Sequence, residues 1–459
     1  MKRFWINKGL GTQNFRDFKK INNIWNLIFV AFLCALCLFI AITNPNNLLF
    51  WFAFIVIVFI NLFNPKFHLC WTLMALTMMA SYLLFWAIVT SLNNIEIDQS
   101  FKIIRRYRNS FIVNYNGINI IVKNSNTLYQ VNDIIQLKGK LKMISNISNF
   151  NLSNNTFLEL IDYDIKRIFN DSSWLENYLA SRYEPANKFL LLLLLSRRVD
   201  LTASLLESAK ELNIAHLFVI SGLHFGLFYL TFLWILKKCK VNVDIANLIS
   251  VVILFAYLFL LDFQISALRA FTFIVAKLIN DKLLDKKFNS LDILVFVALL
   301  FMIVNPNIIY NYSFILSFTI TFVILLIVQA TNKFKSEWIK NVLVLLGAYL
   351  SSLLISLTFN QKIVTLGFIY QIFFSPIIIF SYFFSMLFFW TSYLLPFYFK
   401  ILNSLIQIIK TTSVVLEVPK KLYYLPLILH LLFFILSSSR ISKVLTFSKA
   451  IWFKKLKVR

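Results

Sequence analysis

Long apolar runs separated by short polar joints fill most of the chain, and one wide polar segment interrupts them. Apolar stretches lie near residues 25–43, 48–63, 69–92, 214–236, 244–262, 264–280, 291–304, 309–330, 341–358, 363–380, 381–396 and 422–438. They approach or reach the roughly 20 residues an α-helix needs to cross a hydrocarbon core about 30 Å thick. The pattern predicts a polytopic α-helical membrane protein of about 11–12 spans. In the exception, residues 93–172, the period changes from helix to strand. "SFIVNYNGINIIVKN" holds two β-prone runs split by Asn116-Gly117, a pair favoured in two-residue hairpin turns. In "IIQLKGKLKMI", Ile135, Leu137, Leu141 and Met143 alternate with Gln136, Lys138, Lys140 and Lys142, so one face of a strand is apolar and the other basic. "FLELI" supplies a last strand, and a small barrel or sandwich of about five strands fits the length.

Two segments are amphipathic without being long enough to span. Residues 173–213 contain "WLENYLASRYEPANKFLLLLLLSRR", a short apolar run flanked by Arg182, Lys188, Arg197 and Arg198, side chains able to snorkel from one or two helices lying at the membrane surface. Residues 400–421 read as a second interfacial helix, on the outer face. The expected organisation is a cytoplasmic tail (1–24), three spans (25–92), an extracytoplasmic β domain (93–172), interfacial helices (173–213), a transmembrane core (214–438) and a basic cytoplasmic tail (439–459).

Composition supports the membrane assignment and recasts the charge. Of 459 residues, 59% are hydrophobic and 14% charged, with a net charge of +25. With the N-terminus inside, the joints expected to face the cytoplasm carry about +20 of that charge by the positive-inside rule, so most of the basicity is topology, not ligand binding. The basic opening shows no cleavable signal pattern, and the N-terminus is expected in the cytoplasm of a cell-membrane protein. Cys34, Cys37, Cys70 and Cys239 fall in spans or on the cytoplasmic side and imply no disulfide framework. Within the β segment, Lys102, Arg105, Arg106 and Arg108 surround Tyr107, and Lys138, Lys140 and Lys142 share a face. Cations interleaved with an aromatic ring suit a phosphodiester strand whose bases can stack; the same residues equally suit an ordinary solvated face.

Polar groups inside apolar runs carry more information, since each must face protein, a partner or water. "HLFVISGLHFG" places His216, Ser221 and His224 on one flank of a continuous helix, while Gly222 and Gly226 form the small-residue spacing that lets helices approach closely. No carboxylate stands nearby to orient an imidazole, and two histidines alone under-ligate a metal. In "LDFQISALRAF", Asp262, Ser266 and Arg269 fall at i, i+4 and i+7, one polar stripe that calls for a wet cavity or a partner helix. "NPNIIYNYSFILSFTI" adds Ser317, and a run broken at Asn360, Gln361 and Lys362 continues to Pro376, the kind of interrupted span that builds internal sites in transporters and channels.

These motifs, in this order, resemble the ComEC family of competence proteins, the inner-membrane channels for DNA internalisation. His216, Ser221, Gly222, Leu223, His224 and Gly226 match its first motif; Arg269 and Ala270 match the second; Asn305, Pro306, Phe314, Leu316, Ser317 and Phe318 match the third. Ser313 stands where the family usually has glycine. The β segment is similar to the family's external OB-like domain. Many members also carry a metallo-β-lactamase-like domain, but only four histidines occur here, none in an H-x-H-x-D-H array, and nuclease activity is not carried over.

The resemblance implies a non-enzymatic channel, without cofactor or metal, that passes single-stranded DNA through the cytoplasmic membrane during natural transformation. Ser221, His224, Ser266, Arg269, His216, Asp262 and Ser317 would line it, Gly222 and Gly226 would pack helices, and Lys102, Arg105, Arg106, Arg108, Lys138, Lys140 and Lys142 would meet DNA outside. Its implied partners are the lipid bilayer, an external DNA receptor, a cytoplasmic ATP-driven helicase or translocase, a separate nuclease and a second copy of the chain. The alternatives are a small-solute transporter, which predicts an inverted repeat, and a membrane-embedded glycan-transferring enzyme, which predicts essential polar residues in outer loops.

Overall fold

The computed structural model describes residues 15–43, 48–107, 109–123, 129–171, 173–218, 222–331, 336–360 and 362–417. The chain forms two compact units, Met1–Phe85 with Ala276–Pro306, and Trp86–Val275 with Asn307–Arg459. In the first, α1 (Phe15–Thr43) packs on α2 (Leu48–Ile60) around Ala31, Cys34 and Phe67, the last of these from α3 (Pro65–Ser91). The Ser81 hydroxyl donates to the Ile303 carbonyl at 2.6 Å.

The second unit begins with β1 (Glu96–Tyr107), β2 (Ser110–Tyr115), β3 (Ile118–Val122), β4 (Asp133–Met143), the short α4 (Asn149–Asn154) and β5 (Thr156–Asn170). The strands close in the order β1-β2-β3-β5-β4, a five-stranded barrel that is OB-like at most. The expected alternation holds: Ile135, Leu137 and Leu141 are fully buried while Gln136, Lys138 and Lys142 are exposed. Asn116 and Gly117 take φ of +49° and +87°, the left-handed pair that lets a two-residue turn follow the twist of its strands.

Helices follow: α5 (Trp174–Ala180), α6 (Ala186–Leu195), α7 (Asp200–Glu211), α8 (Ala215–Phe218), α9 (Gly222–Lys238), α10 (Val243–Leu260), α11 (Ile265–Lys282), α12 (Ser290–Val304), which belongs to the first unit, α13 (Tyr312–Ala330), α14 (Glu337–Asn360), α15 (Gly367–Phe388) and α16 (Leu394–Lys410). The strand pair β6 (Lys362–Val364) and β7 (Val415–Glu417) joins the foot of α15 to the end of α16. Five helices, Pro65–Ser91, Val243–Leu260, Tyr312–Ala330, Glu337–Leu357 and Gly367–Phe388, are long and apolar enough to cross a membrane; Ile28–Thr43, Leu48–Ile60, Ala186–Leu195 and Ser290–Val304 are apolar but shorter. The chain is thus mostly helical and built as a multi-pass membrane protein.

Several expectations are corrected. The apolar runs 363–380 and 381–396 do not make two spans: α15 runs unbroken from Gly367 to Phe388 across their division and through Pro376, and 394–396 already begin α16; packed surroundings tolerate the one hydrogen bond a proline removes. Residues 173–213 make three helices, and α6 is not a surface element. Every residue of α6 except Lys188 is buried, chiefly against α5, α7, α15 and α16, so its leucines face protein. Residues 400–410 belong to α16, which runs antiparallel along α15: Tyr398 meets Ser381 at 2.7 Å, and Thr412 meets Tyr370 at 2.9 Å. Ser221, Arg108 and the apolar run 422–438 lie outside the described residues.

Candidate functional site

Two polar constellations stand out in the second unit. The first is buried where α9, α11, α13 and α15 meet. Arg269, on α11, is 6% exposed; its Nη1 donates to Thr321 Oγ1 at 2.7 Å, and its guanidinium carbon sits 6.0 Å from the Phe318 ring centroid. The space beside it exists because residue 222 lacks a side chain: a Cβ there would run into the Arg269 guanidinium. Two matched motifs are therefore complementary, glycine on α9 admitting arginine from α11. Thr321 in turn donates to the Ser317 carbonyl at 2.8 Å, so Ser317 contributes backbone to the network. On the other side of α9, His224, 3% exposed, lies 4.9 Å from the Tyr382 ring. Tyr382 reaches the Tyr257 hydroxyl at 3.4 Å, and Tyr257 donates to the Leu194 carbonyl at 2.7 Å. His216 sits on α8 and is an electrostatic neighbour of His224. Arg269 Nε and His216 Nε2 are buried with no hydrogen-bond partner among the described residues, which leaves donor and acceptor capacity directed into the cluster at a free-energy cost. Ser266 lies one turn before Arg269 on α11.

One assignment to this cluster does not survive. Asp262 is not on α11: with Phe263 it forms a left-handed turn (φ +47° and +49°) between α10 and α11. Its carboxylate is 52% exposed and pairs with Arg197 Nη1, so the polar stripe reduces to Ser266 and Arg269. Gly226 has no neighbour among the described residues within 4 Å of where its Cβ would stand, so the close helix contact seen among them runs through Gly222.

Sequence reasoning missed a relay fixing the barrel to the helices. Asn132, from the β3–β4 connection, donates to both Glu176 oxygens at 3.0 and 3.1 Å. Glu176, on α5, pairs with Arg197 Nε at 3.1 Å, and Arg197 reaches Asp262. No local spacing signals it, since its members come from four separate segments.

The second constellation is basic and lies where barrel meets helices. Arg105 Nη1 and the Tyr107 hydroxyl both donate to Asn154 Oδ1, at 2.7 and 2.8 Å, and Asn311 at the head of α13 donates to the Ser153 carbonyl at 2.8 Å. Arg198, from the α6–α7 joint, keeps an exposed surface yet is packed deeply enough that desolvation, and then the positive charge of Arg105, lower its pKa from the ordinary value. Tyr107 and Tyr312 are its other neighbours. Among the described residues neither guanidinium has a carboxylate partner. The other expected DNA contacts lie near acids. Lys102 pairs with Asp171 at 3.2 Å; Lys138 stands between Asp98 and Asp164, Lys140 opposite Glu96, and Lys142 opposite Glu159. Arg106 is half-buried with partners of its own. No cluster of three or more metal-ligating side chains occurs among the described residues.

Comparison with known sequences places this geometry. The family described as "Competence protein" matches residues 193–442, a segment that holds His216, His224, Arg269 and Ser317. The chain belongs to the Competence protein family. Two curated relatives are similar: "Uncharacterized protein MG316 homolog" of Mycoplasma pneumoniae, 33% identical over 45% of this chain and 52% of that protein, and "Uncharacterized protein MG316" of Mycoplasma genitalium, 34% identical over 42% and 49%. The chain spans about half the length of the curated relatives it matches. No solved structure matches it. Within this Competence family chain, the Gly222–Arg269 contact joins the two motifs that sequence alone could only list in order.

Proposed function

We propose that this Competence family protein passes single-stranded DNA across the cytoplasmic membrane, with the barrel receiving the strand on the outer side. The observation that carries the reading is the electrostatic proximity of Arg105 and Arg198, two cations from different parts of the fold, with Arg105 and Tyr107 held side by side on Asn154. Their mutual repulsion is relieved by an anion, and Tyr107 and Tyr312 beside them offer rings for bases, the combination that single strands bind. Lys102 and Lys138 are already paired with carboxylates. His216, Ser221, His224, Ser266 and Arg269 are the residues of the throat, and a motor in the cytoplasm supplies the work. Binding of a labelled single-stranded oligonucleotide by the purified protein, followed against salt, tests this. Each phosphate neutralised contributes about 0.7 to the slope of log K against log salt, so Arg105→Gln with Arg198→Gln flattens the slope by about 1.4. An unchanged slope in the double variant overturns the assignment.

A further inference from the structure

α16 presents three faces. Leu395, Phe399, Leu402 and Ile406 are buried in the core around α6; Phe397, Ile401 and Ile408 are exposed; Lys400, Asn403, Ser404 and Gln407 form a polar edge. Two open grooves meet along it. One, of about 450 Å³, is polar and includes Lys188, Ser204, Lys400 and Asn403 in its walls. The other, of about 490 Å³, is apolar and runs along Phe397, Ile401, Leu405 and Ile408. Lys400 and Ser404 belong to both. Lys188 is partly neutralised by Glu184 at 3.2 Å, whereas Lys400 has no ion-pair partner among the described residues.

Depth orders these groups. Trp390 and Tyr393, exposed at the joint between α15 and α16, are the residue types that mark a membrane–water interface. Lys400 follows Tyr393 by roughly 10 Å of helix, within reach of the head-group region for a snorkelling lysine. Leu405 and Ile408 continue the apolar groove along α16, away from Trp390 and Tyr393.

We propose that these joined grooves bind one anionic phospholipid, its head-group phosphate on Lys400 with Ser404 and Asn403 as hydrogen-bond donors, and its acyl chain along Ile401, Leu405 and Ile408. A nucleic-acid strand fits less well, since a single unpaired cation beside an aliphatic wall gives no track for repeated phosphates.

Native mass spectrometry of the detergent-purified full chain, with phosphatidylglycerol or phosphatidylcholine of identical acyl chains, tests this. Phosphatidylglycerol is retained over phosphatidylcholine; Lys400→Gln reduces its retention about five-fold, the value of one lysine at an anionic lipid surface, and Lys400→Arg restores it. Millimolar inorganic phosphate does not displace the lipid, because the tail groove holds it. Equal retention of the two lipids, no loss in Lys400→Gln, displacement by inorganic phosphate, or displacement by a single-stranded oligonucleotide would each overturn the assignment.

Discussion

Gly222→Ala tests the contact between the two family motifs. Gly222 is outside the left-handed region, where Gly117 alone stands among the described glycines, so the backbone accepts alanine and any destabilisation comes from collision. The new methyl group meets the Arg269 guanidinium, with Cζ at 3.3 Å, while Ala270 Cβ at 3.7 Å is ordinary contact. An exposed arginine would swing aside at little cost. Arg269 is buried and tied to Thr321, so withdrawal forfeits a hydrogen bond to a charged group, about 1.5–3 kcal/mol, and forces an off-rotamer side chain, about 0.5–1.5 kcal/mol. After roughly 1 kcal/mol of helix propensity regained by alanine, the net loss is about 1–3.5 kcal/mol. In an Arg269→Ala background the obstacle is gone, and Thr321 stays satisfied through the Ser317 carbonyl, so Gly222→Ala becomes neutral or stabilising there. The assay is a double-mutant cycle on reversible unfolding in detergent micelles. Equal destabilisation in both backgrounds refutes the packing of Gly222 on Arg269.

Gly226→Ala meets nothing within 4 Å among the described residues and, inside α9, raises stability by up to about 1 kcal/mol; a loss comparable to that of Gly222→Ala in the same melts contradicts the open space described. Arg197→Ala strands the buried Glu176 carboxylate and lowers stability by about 3–5 kcal/mol, whereas Asp262→Ala, at a half-exposed end of the relay, changes it by less than about 1 kcal/mol; reversal of that order in denaturant titrations would contradict the relay.

The barrel was the most legible part, because its signals are local. Asn116-Gly117 names its own turn, and the Ile135–Leu137–Leu141 alternation needs only the period of a strand. The membrane-crossing character was legible from apolar length, but helix ends were not. The i, i+4, i+7 stripe extended helical periodicity back through Asp262 and Phe263, where a left-handed turn without glycine or proline interrupts it. The division at residue 380 erred in the opposite sense, since α15 runs on across it as well as through Pro376. The leucines of α6 were ambiguous in principle, since an apolar run of about ten residues serves a buried core helix and a membrane-surface helix equally well. Residue types identified Arg269, His224 and Gly222, but not that glycine's missing side chain is filled by the arginine. The Asn132–Glu176–Arg197 relay and the Arg105–Arg198 pair were invisible, because each is assembled from segments that only the tertiary fold brings together.

The burial of α6 has a consequence for how the protein is made. Its leucines are covered by Phe399 and other side chains of α15 and α16, and 204 residues separate Leu195 from Phe399. At roughly 5–20 residues per second, the ribosome needs about 10–40 seconds to deliver the cover. Throughout that interval a leucine-rich segment too short to anchor itself across the bilayer waits beside the insertion machinery. Biogenesis of this protein is therefore a problem of timing, in which the centre is synthesised well before the helices that enclose it.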